Sequence, residues 1–315
     1  MTMRCAILDD YQGVAAGLAD WSGVDLVVLR EHLTSEKEIV AAVEDCEIVV
    51  AMRERTAFPA SLFARLPNLR LLITTGWRNA SIDLAAAAEH GVTVCGTGSA
   101  SEPPAELTWA LILGLARGLV PESESVRRNG PWQSTVGADL YGARLGLIGL
   151  GKIGGRMATV GRAFGMDVVA WSQNLTDERA AEVGARRLTL DELLETSDFV
   201  SIHLALSDRT RGLLGADQLA RMRSTAYLIN TSRSAIVDSE ALLAALRAGW
   251  IAGAGLDVFD TEPLPADDEL RKLPNVLATP HLGYVTERNY RMYFTEAVED
   301  IHAFLAGEPI RLLTA

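Results

Sequence analysis

Residues 144–172 read RLGLIGLGKIGGRMATVGRAFGMDVVAWS, and this stretch decides the fold. Its apolar start, Arg144–Ile148, predicts a buried strand that leads directly into the glycine turn Gly149–Gly154. A helix is predicted from the turn to about Phe164, and the next strand at Asp167–Trp171. In such a turn the first glycine permits the tight bend, the second lets a pyrophosphate approach the backbone, and the third lets helix and strand pack closely. Because the turn also faces the positive end of the helix, the stretch predicts a dinucleotide-binding βαβ unit.

The position that reads the ribose of a dinucleotide follows the second strand, about 20 residues after the turn. Ser172, Gln173 and Asn174 stand there, where NAD-binding proteins usually have an aspartate or glutamate. A carboxylate accepts hydrogen bonds from the 2′-hydroxyl and repels a 2′-phosphate, so its absence weakens the argument for NAD. No arginine stands at these three positions to hold a phosphate, although Arg179 lies nearby. The cofactor is therefore left open, with NAD favoured and NADP not excluded.

Short apolar runs alternate with helical patterns in two blocks of the chain. In the first hundred residues we predict strands at Arg4–Leu8, Asp25–Leu29, Ile48–Ala51, Leu71–Thr74 and Thr93–Cys95, with helices such as Ser35–Val43 and Ile82–His90. The second block adds strands at Phe199–His203, Ala226–Asn230, Gly253–Leu256 and Val276–Ala278, and a closing helix at Glu287–Leu305 with apolar residues Met292, Val298, Ile301 and Leu305. Strands that alternate with helices form parallel sheets. The predicted fold class is α/β with two doubly wound parallel sheets.

Between the blocks lies a long apolar segment, Ala105–Val120, preceded by Pro103 and Pro104. Proline is tolerated in the first turn of a helix, and a helix that is apolar nearly all round is buried on several sides. Two interpretations stay open, a core helix inside one domain or a helix packed between domains or subunits.

The composition of the chain excludes several classes of function. With 315 residues it is long enough for two domains. The 29 basic and 41 acidic side chains give a formal net charge of −12, which argues against a broad nucleic-acid surface. No apolar stretch approaches the roughly 20 residues that span a bilayer, and the N-terminus resembles a strand rather than a signal peptide. The separated cysteines Cys5, Cys46 and Cys95 predict no disulfide framework and no metal site, so we expect a reducing cytoplasmic location.

Three titratable residues follow strands of the second block: Arg233 in INTSRSAIVD, Glu262 in GAGLDVFDTEP and His281 in ATPHLG. Singly, each has an ordinary explanation as a surface ion-pair partner, a loop carboxylate or a hydrogen-bonded loop histidine. Together, and in this order behind the glycine turn, they resemble the D-isomer-specific 2-hydroxyacid dehydrogenases over essentially the whole chain. The resemblance implies that Arg233 binds the substrate and that Glu262 and His281 form the acid/base pair.

The expected reaction, hydride exchange between nicotinamide and C2 of a small 2-keto or 2-hydroxy acid, explains why these residue types are needed. The planar guanidinium of Arg233 matches a carboxylate and the adjacent carbonyl. Reduction places negative charge on the carbonyl oxygen, and a histidine such as His281 can donate a proton there near neutral pH. Glu262 would stabilise the imidazolium and fix the ring. His203, in FVSIHLAL, matches a position near the cofactor rather than the acid/base residue, and the remaining histidines are expected to be surface or structural.

Further positions are carried over by the resemblance. Those expected to contact the cofactor are Gly149, Gly151, Lys152, Ile153, Gly154, Ser172, His203, Leu204, Ala205, Thr210, Thr231, Ser232, Asp257 and Gly283. Asp257 is expected to accept a hydrogen bond from the carboxamide of the nicotinamide. Those expected to hold the substrate carboxylate are Gly76, Trp77 and Arg78 in TTGWRNASID, and Arg53 in AMRERT.

The sequence also departs from the family pattern. Arg78 stands where glycine is common, Ser234 replaces the usual glycine after the arginine, and HLALS lacks a proline that commonly follows the histidine. These departures leave the substrate open between an unphosphorylated hydroxy acid and 3-phosphoglycerate, for which Arg53, Arg55 and Arg78 are candidate phosphate ligands. A dinucleotide-sensing, corepressor-like binding protein is the alternative from another class, although little sequence follows the last predicted helix to bind a partner.

The resemblance further implies the domain layout. Residues 1–100 and 286–315 would form a flavodoxin-like substrate-binding domain, into which a Rossmann-like NAD(P)-binding domain, residues 101–285, is inserted. The Ala105–Val120 helix would then lie in the interface of a two-fold homodimer.

Overall fold

The computed structural model of the chain describes residues 3–314. The chain divides into two compact units, one formed by Met1–Ala100 and Val285–Ala315 and the other by Ser101–Tyr284. Each unit has its own parallel sheet, of five and of seven strands. The predicted α/β fold with two parallel sheets is therefore confirmed, while the roles assigned to the two domains stay predictions.

The first unit contains strands β1 (Met3–Ile7), β2 (Val24–Val28), β3 (Ile48–Ala51), β4 (Leu71–Thr74) and β5 (Thr93–Gly96), and helices α1 (Ala15–Leu18), α2 (Glu36–Val43), α3 (Ala60–Phe63) and α4 (Leu84–Glu89). The strands lie in the order β2-β1-β3-β4-β5. All residues of β3 and β4 are buried, as expected for parallel strands covered on both faces. The side chains of Ser35 and Asp83 cap α2 and α4, so both helices begin slightly later than predicted.

The second unit contains helices α5 (Glu102–Ala116), α6 (Leu119–Arg127), α7 (Lys152–Ala163), α8 (Asp177–Glu182), α9 (Leu190–Thr196), α10 (Ala216–Arg221) and α11 (Ser239–Ala248), and strands β6 (Arg144–Ile148), β7 (Asp167–Trp171), β8 (Arg186–Arg187), β9 (Phe199–Ile202), β10 (Tyr227–Asn230), β11 (Gly253–Leu256) and β12 (Val276–Ala278). The sheet order is β12-β11-β10-β9-β6-β7-β8. The direction of winding reverses between β6 and β9, the place where doubly wound sheets bind ligands. Strand β8 was not predicted because it is only two exposed arginines.

The predicted single helix at Ala105–Val120 is wrong in its extent. Helix α5 begins at Glu102 and ends at Ala116, and Gly118 adopts a left-handed φ of 55° before α6 starts. A glycine in that conformation ends a helix at little cost, which the apolar pattern concealed. Trp109 and Ile112 of α5 belong to the hydrophobic core of the second unit, as the core-helix interpretation expects.

The last helix, α12 (Glu287–Leu305), packs on β4 and α1 within the first unit. Its buried apolar residues are Tyr290, Tyr293, Phe294, Ala297, Val298 and Ile301. Of the predicted apolar positions, Val298 and Ile301 are buried, but Met292 is half-buried and Leu305 is exposed because the buried stripe is shifted towards the tyrosines. After the helix, Arg311 Nε donates to Asp300 Oδ1 at 2.8 Å, and burial raises the pKa of Asp300 to about 7.

No helix within residues 3–314 is long and apolar enough to cross a membrane. The three cysteines are buried free thiols. Burial raises the pKa of Cys46 to about 11 and that of Cys95 to about 12, and it raises the pKa of Cys5 further. The thiols therefore stay protonated and act as small apolar side chains. A cytoplasmic location stays a prediction.

Candidate active site

The glycine turn lies between β6 and α7, at the point where β6 and β9 separate. Gly149 has a φ of +103°, and a Cβ on it would lie 2.5 Å from the carbonyl oxygen of His203. A Cβ on Gly154 would collide with the carbonyl oxygen of Gly149, whereas Gly151 faces open space. The first and third glycines therefore permit close backbone packing, and the second leaves the approach to the turn clear.

The turn fits the pyrophosphate of a dinucleotide. Helix α7 begins at Lys152 and runs for twelve residues, so its first backbone N–H groups face the turn with the positive end of the helix dipole. Lys152 is exposed and Ile153 is half-buried, packed against the core of the second unit. The open face at Gly151 and these N–H groups would hold the two phosphates.

The segment predicted to read the ribose lies next to the turn because Gly149 N donates to the carbonyl of Trp171 at 2.7 Å. Ser172 is half-buried, and its carbonyl accepts from Leu175 N at 3.1 Å to close a neutral loop. The acids that follow are engaged elsewhere: Asp177 accepts from Arg187 at 2.9 Å, and Glu182 pairs with Arg179. The loop therefore presents hydroxyl, amide and backbone groups. It has no carboxylate at these positions that would repel a 2′-phosphate.

The segment after β9 carries the residues expected near the cofactor. His203 Nε2 lies 2.9 Å from Ser201 Oγ, and burial lowers the pKa of His203 to about 4. A histidine that stays neutral at physiological pH suits a structural or contact role and not proton transfer. Thr210 Oγ1 donates to the carbonyl of Ala205 at 2.8 Å, so this threonine shapes the loop that contains Leu204 and Ala205.

Arg233 follows β10, and Asn230, the last residue of that strand, shapes its loop. Asn230 Nδ2 donates to the carbonyl of Arg233 at 3.0 Å, and Asn230 Oδ1 accepts from Ser232 N at 3.0 Å. Ser232 Oγ donates to the carbonyl of Leu204. Thr231 Oγ1 lies 2.8 Å from Thr108 Oγ1 on α5. The predicted contact residues Thr231 and Ser232 thus join the arginine loop to α5 and to the segment after β9.

Glu262 and His281 are brought together at the carboxyl ends of β11 and β12. His281 Nδ1 lies 2.6 Å from Glu262 Oε2, and the other carboxylate oxygen of Glu262 accepts from Phe259 N at 2.9 Å. The two side chains are only 19% and 25% exposed, so the contact is sheltered from solvent. With Nδ1 on the carboxylate, Nε2 is the ring nitrogen left to exchange a proton with a ligand.

Asp257 holds the loop that carries His281. Its Oδ1 accepts from Thr279 Oγ1 at 2.6 Å and from Leu282 N at 2.7 Å, and its Oδ2 accepts from Gly283 N at 2.8 Å. His281 itself has a φ of +54°, a left-handed conformation that a side chain rarely adopts. Burial raises the pKa of Asp257 above its ordinary value. The structure therefore gives Asp257 an anchoring role that the sequence did not suggest, and its predicted contact with the carboxamide stays a prediction.

The candidate substrate residues of the first unit lie after β3 and β4. Arg53 N donates to Thr75 Oγ1 at 3.0 Å, and Asn79 Nδ2 donates to the carbonyl of Arg53 at 2.6 Å. A Cβ on Gly76 would collide with the guanidinium of Arg53, so that side chain lies directly against the Gly76 backbone. Trp77 and Arg78 are exposed. Within this unit, then, the structure brings Arg53 and Gly76 together.

Sequence reasoning missed Asn230 altogether, and it gave Asp257 a contact with the cofactor but not its hydrogen bonds to the loop of His281. Both are polar side chains that end or directly follow a buried strand, and both are at most 2% exposed. A polar residue at that position is a common signal of a hydrogen-bonded turn. It does not tell which loop the side chain will hold.

Comparison with known proteins agrees with this geometry. The sequence profile described as D-isomer specific 2-hydroxyacid dehydrogenase, NAD binding domain, matches residues 109–283. The chain is 37% identical to glyoxylate reductase of Korarchaeum cryptofilum over 87% of this chain and 84% of that protein. It is 37% identical to D-3-phosphoglycerate dehydrogenase of Bacillus subtilis over 82% of this chain but only 50% of that protein. The crystal structure of phosphoglycerate oxidoreductase from Vibrio cholerae O395 superposes with a TM-score of 0.92 at 36% identity, covering 97% of this chain and 99% of that one.

The glycine turn yields a paired prediction. Gly154→Ala will weaken NADH binding by about tenfold or more, because its methyl group collides with the Gly149 carbonyl and forces the turn open. The neighbouring Gly155→Ala is the matched control, since its Cβ would meet only Val183 Cγ1 at an ordinary 3.7 Å. Isothermal titration calorimetry with NADH measures the dissociation constant of each variant. Equal affinities for the two variants would contradict the role given to Gly154.

The neutral ribose loop yields a second prediction. Ser172→Asp will raise the ratio of the NADPH to the NADH dissociation constant by about tenfold or more, because the new carboxylate repels a 2′-phosphate and accepts from a 2′-hydroxyl. Gln173→Asn, in the same exposed loop, serves as the neutral control. Direct binding measurements with both coenzymes test this. A ratio unchanged by the aspartate would mean that Ser172 does not face the ribose.

Proposed function

The chain belongs to the family of D-isomer-specific 2-hydroxyacid dehydrogenases, and from this we propose that it interconverts a small, unphosphorylated 2-keto acid and its D-2-hydroxy acid. The chain is an NAD-dependent oxidoreductase, as the match to the NAD binding domain of this family and the reductase and oxidoreductase relatives indicate. The observation that carries the proposal is the 2.6 Å contact between His281 Nδ1 and Glu262 Oε2, in the same unit as the glycine turn. We assign coenzyme binding to this unit.

The side chains have distinct tasks in the proposed mechanism. When bound, NADH supplies the hydride that reduces C2 of the keto acid. Arg233 binds the carboxylate and polarises the carbonyl. His281 donates the Nε2 proton to the carbonyl oxygen as charge develops there, and it takes a proton from the hydroxyl in the reverse direction. Glu262 holds the ring through Nδ1 and stabilises the imidazolium form.

The nature of the substrate is the finer part of the proposal. Glyoxylate reductases and D-3-phosphoglycerate dehydrogenases are both among the relatives. The three arginines considered for a phosphate have different surroundings within the first unit: Arg53 lies against Gly76, the guanidinium carbon of Arg55 lies 4.6 Å from the ring centroid of Tyr11, and Arg78 is exposed. This arrangement supports an unphosphorylated acid such as glyoxylate or hydroxypyruvate.

A panel of keto acids tests the proposal. We expect wild-type protein to oxidise NADH with glyoxylate or hydroxypyruvate faster than with phosphohydroxypyruvate, and NADPH is run in parallel. Faster turnover of phosphohydroxypyruvate would reassign the enzyme to phosphoglycerate. Tight NADH binding without turnover of any keto acid would instead support a dinucleotide-sensing role.

Variants of the acid/base pair test the mechanism. His281→Gln will lower kcat by about a hundredfold or more, because proton donation contributes about 10²–10⁴ to such rates. Glu262→Gln will lower kcat by about tenfold, since the amide no longer stabilises the imidazolium. NADH affinity, measured by calorimetry, should stay within about twofold of wild type in both. His203→Gln is the control histidine, and a greater loss of kcat there would contradict the assignment.

We also propose that the protein is a homodimer joined through the segment that follows α5. Helix α6 has no buried residue, and Leu119, Val126 and Trp132 are 55%, 56% and 81% exposed. The exposed loop beyond α6 is nonetheless held in shape, because Glu122 Oε1 accepts hydrogen bonds from the backbone and side chains of Ser134 and Thr135 at 2.6–2.9 Å. An apolar surface on a shaped segment is typical of an interface, and the matching surface of a second copy is the partner that the family resemblance implies.

Sedimentation equilibrium tests the dimer. Wild type should sediment as a dimer of the 33.9 kDa chain, and Trp132→Asp combined with Leu119→Asp should shift it to monomer because two charges would be buried in the interface. Trp250→Asp, at another exposed tryptophan of the same unit, should leave the dimer intact. A wild-type monomer at micromolar concentration would refute this part of the proposal.

A further inference from the structure

Asp9, the second residue after β1, has a buried carboxylate in an unusual backbone conformation. Its residue exposure is 1%, and its φ of +57° lies in the left-handed region that favours glycine. Its neighbour Asp10 is also buried, but that carboxylate accepts from Val14 N and Ala15 N at 3.2 and 2.9 Å, an ordinary local bond to backbone groups four and five residues further on. Asp9 has no such local explanation.

The carboxylate of Asp9 joins three loops at the carboxyl edge of the first sheet. Thr56 Oγ1, from the loop after β3, donates to Oδ2 at 2.8 Å. His32 Nδ1, from the loop after β2, lies 2.9 Å from Oδ1, and Tyr11 OH donates to the same oxygen at 3.2 Å. All three partners are side chains, so the carboxylate organises neighbouring loops and does not cap a helix.

This arrangement is costly in terms of stability alone. A non-glycine residue held at positive φ is strained, and a buried carboxylate also loses its hydration. Glycine at this position would relieve the backbone strain. Strain of this kind is concentrated at functional sites, where the surrounding structure holds it in place.

The position of Asp9 connects it to a candidate substrate residue. In the order β2-β1-β3-β4-β5 the winding reverses between β1 and β3, and ligands of such sheets bind beside that point. Thr56, which donates to Asp9, lies in the loop of Arg53, three residues further on. Arg53 has a φ of +54°, and its guanidinium lies against the backbone of Gly76. A hydrogen bond to Thr56 therefore fixes the distal end of the loop that presents Arg53.

We propose that Asp9 is a positioning residue for the proposed keto-acid reaction, and that it acts through Thr56 to hold Arg53 against Gly76 for binding the substrate carboxylate. This inference rests on the proposed function. His32 and Tyr11 complete the anchor, because each supplies a hydrogen bond to the oxygen that Thr56 does not use. Loss of the anchor frees the Arg53 loop, so it weakens substrate binding and leaves coenzyme binding unchanged.

A double-mutant cycle tests the proposal. Asp9→Asn and Thr56→Val should each raise KM for the keto acid about five- to twentyfold, with kcat and the NADH dissociation constant within about twofold of wild type. In an Arg53→Ala background the same substitutions should change KM by less than about twofold, because the residue through which they act is gone. Equal effects of Asp9→Asn with and without Arg53 would overturn the proposal.

Asp83→Asn is the matched control, since Asp83 is a carboxylate of the same unit that accepts from Ala86 N at 2.9 Å and caps α4. It should lower Tm without changing KM, which separates a general loss of stability from positioning. Hydrogen exchange of residues 53–58, the loop that presents Arg53, supplies a readout independent of turnover, and it should quicken in Asp9→Asn but not in Asp83→Asn. Unchanged exchange in Asp9→Asn would also overturn the proposal.

Absence of keto-acid turnover by wild type would instead refute the proposed function, and hydrogen exchange would still decide whether Asp9 anchors the loop.

Discussion

The backbone of Gly149 lies against the carbonyl of His203 at the point where β6 and β9 separate, and the second unit is arranged around this contact. His203 N donates to Ile148 O at 2.7 Å, so the two strand ends are held level, and only a glycine turn fits between them. The strands beyond β9 are parallel to it and end at the same edge of the sheet. The residues that follow β10, β11 and β12 therefore meet the glycine turn at one edge, which is why chemistry and coenzyme recognition are placed together there.

Each unit has strained backbone after a strand, at a residue for which we propose a functional role. His281 and Arg53 adopt φ values of +54°, and in each case side-chain hydrogen bonds hold the conformation in place. Asp257 accepts from the backbone N–H groups of the two residues after His281, while Thr75 accepts from Arg53 N. A side chain on a left-handed residue leaves the strand in a direction that ordinary extended backbone does not offer. The cost in conformational energy is offset by a fixed direction for the side chain.

The sequence predicted the strands well because each is a short apolar run bounded by helix-forming segments. Six of the predicted strands, among them Arg144–Ile148 and Val276–Ala278, have the same bounds in the structure, and the others differ by one residue at one or both ends. The Glu262–His281 pair was also predicted, because both residues follow neighbouring strands in a recognisable motif.

What sequence could not show were contacts between loops, such as those of Asp257 and Asp9, since an acidic residue after a strand has no fixed partner until the sheet order is known. The break in the helix at Gly118 was missed because its signal, a left-handed φ, is a property of one residue inside a uniformly apolar pattern.

A chain with a formal charge of −12 must still bind two anions, a dinucleotide and a carboxylate, and the structure shows how this conflict is resolved locally. The acids nearest the proposed chemistry are used within the protein: Glu262 accepts from Phe259 N and pairs with His281, and Asp257 accepts three hydrogen bonds from the loop of that histidine. The neutral residues at 172–174 leave the ribose end without a carboxylate. Exposed charges farther than about 8–10 Å are largely screened at physiological salt. In the proposed mechanism, anion binding depends on Arg233, the start of α7 and the polar backbone of the turn, and the net charge of the chain has little influence at the site.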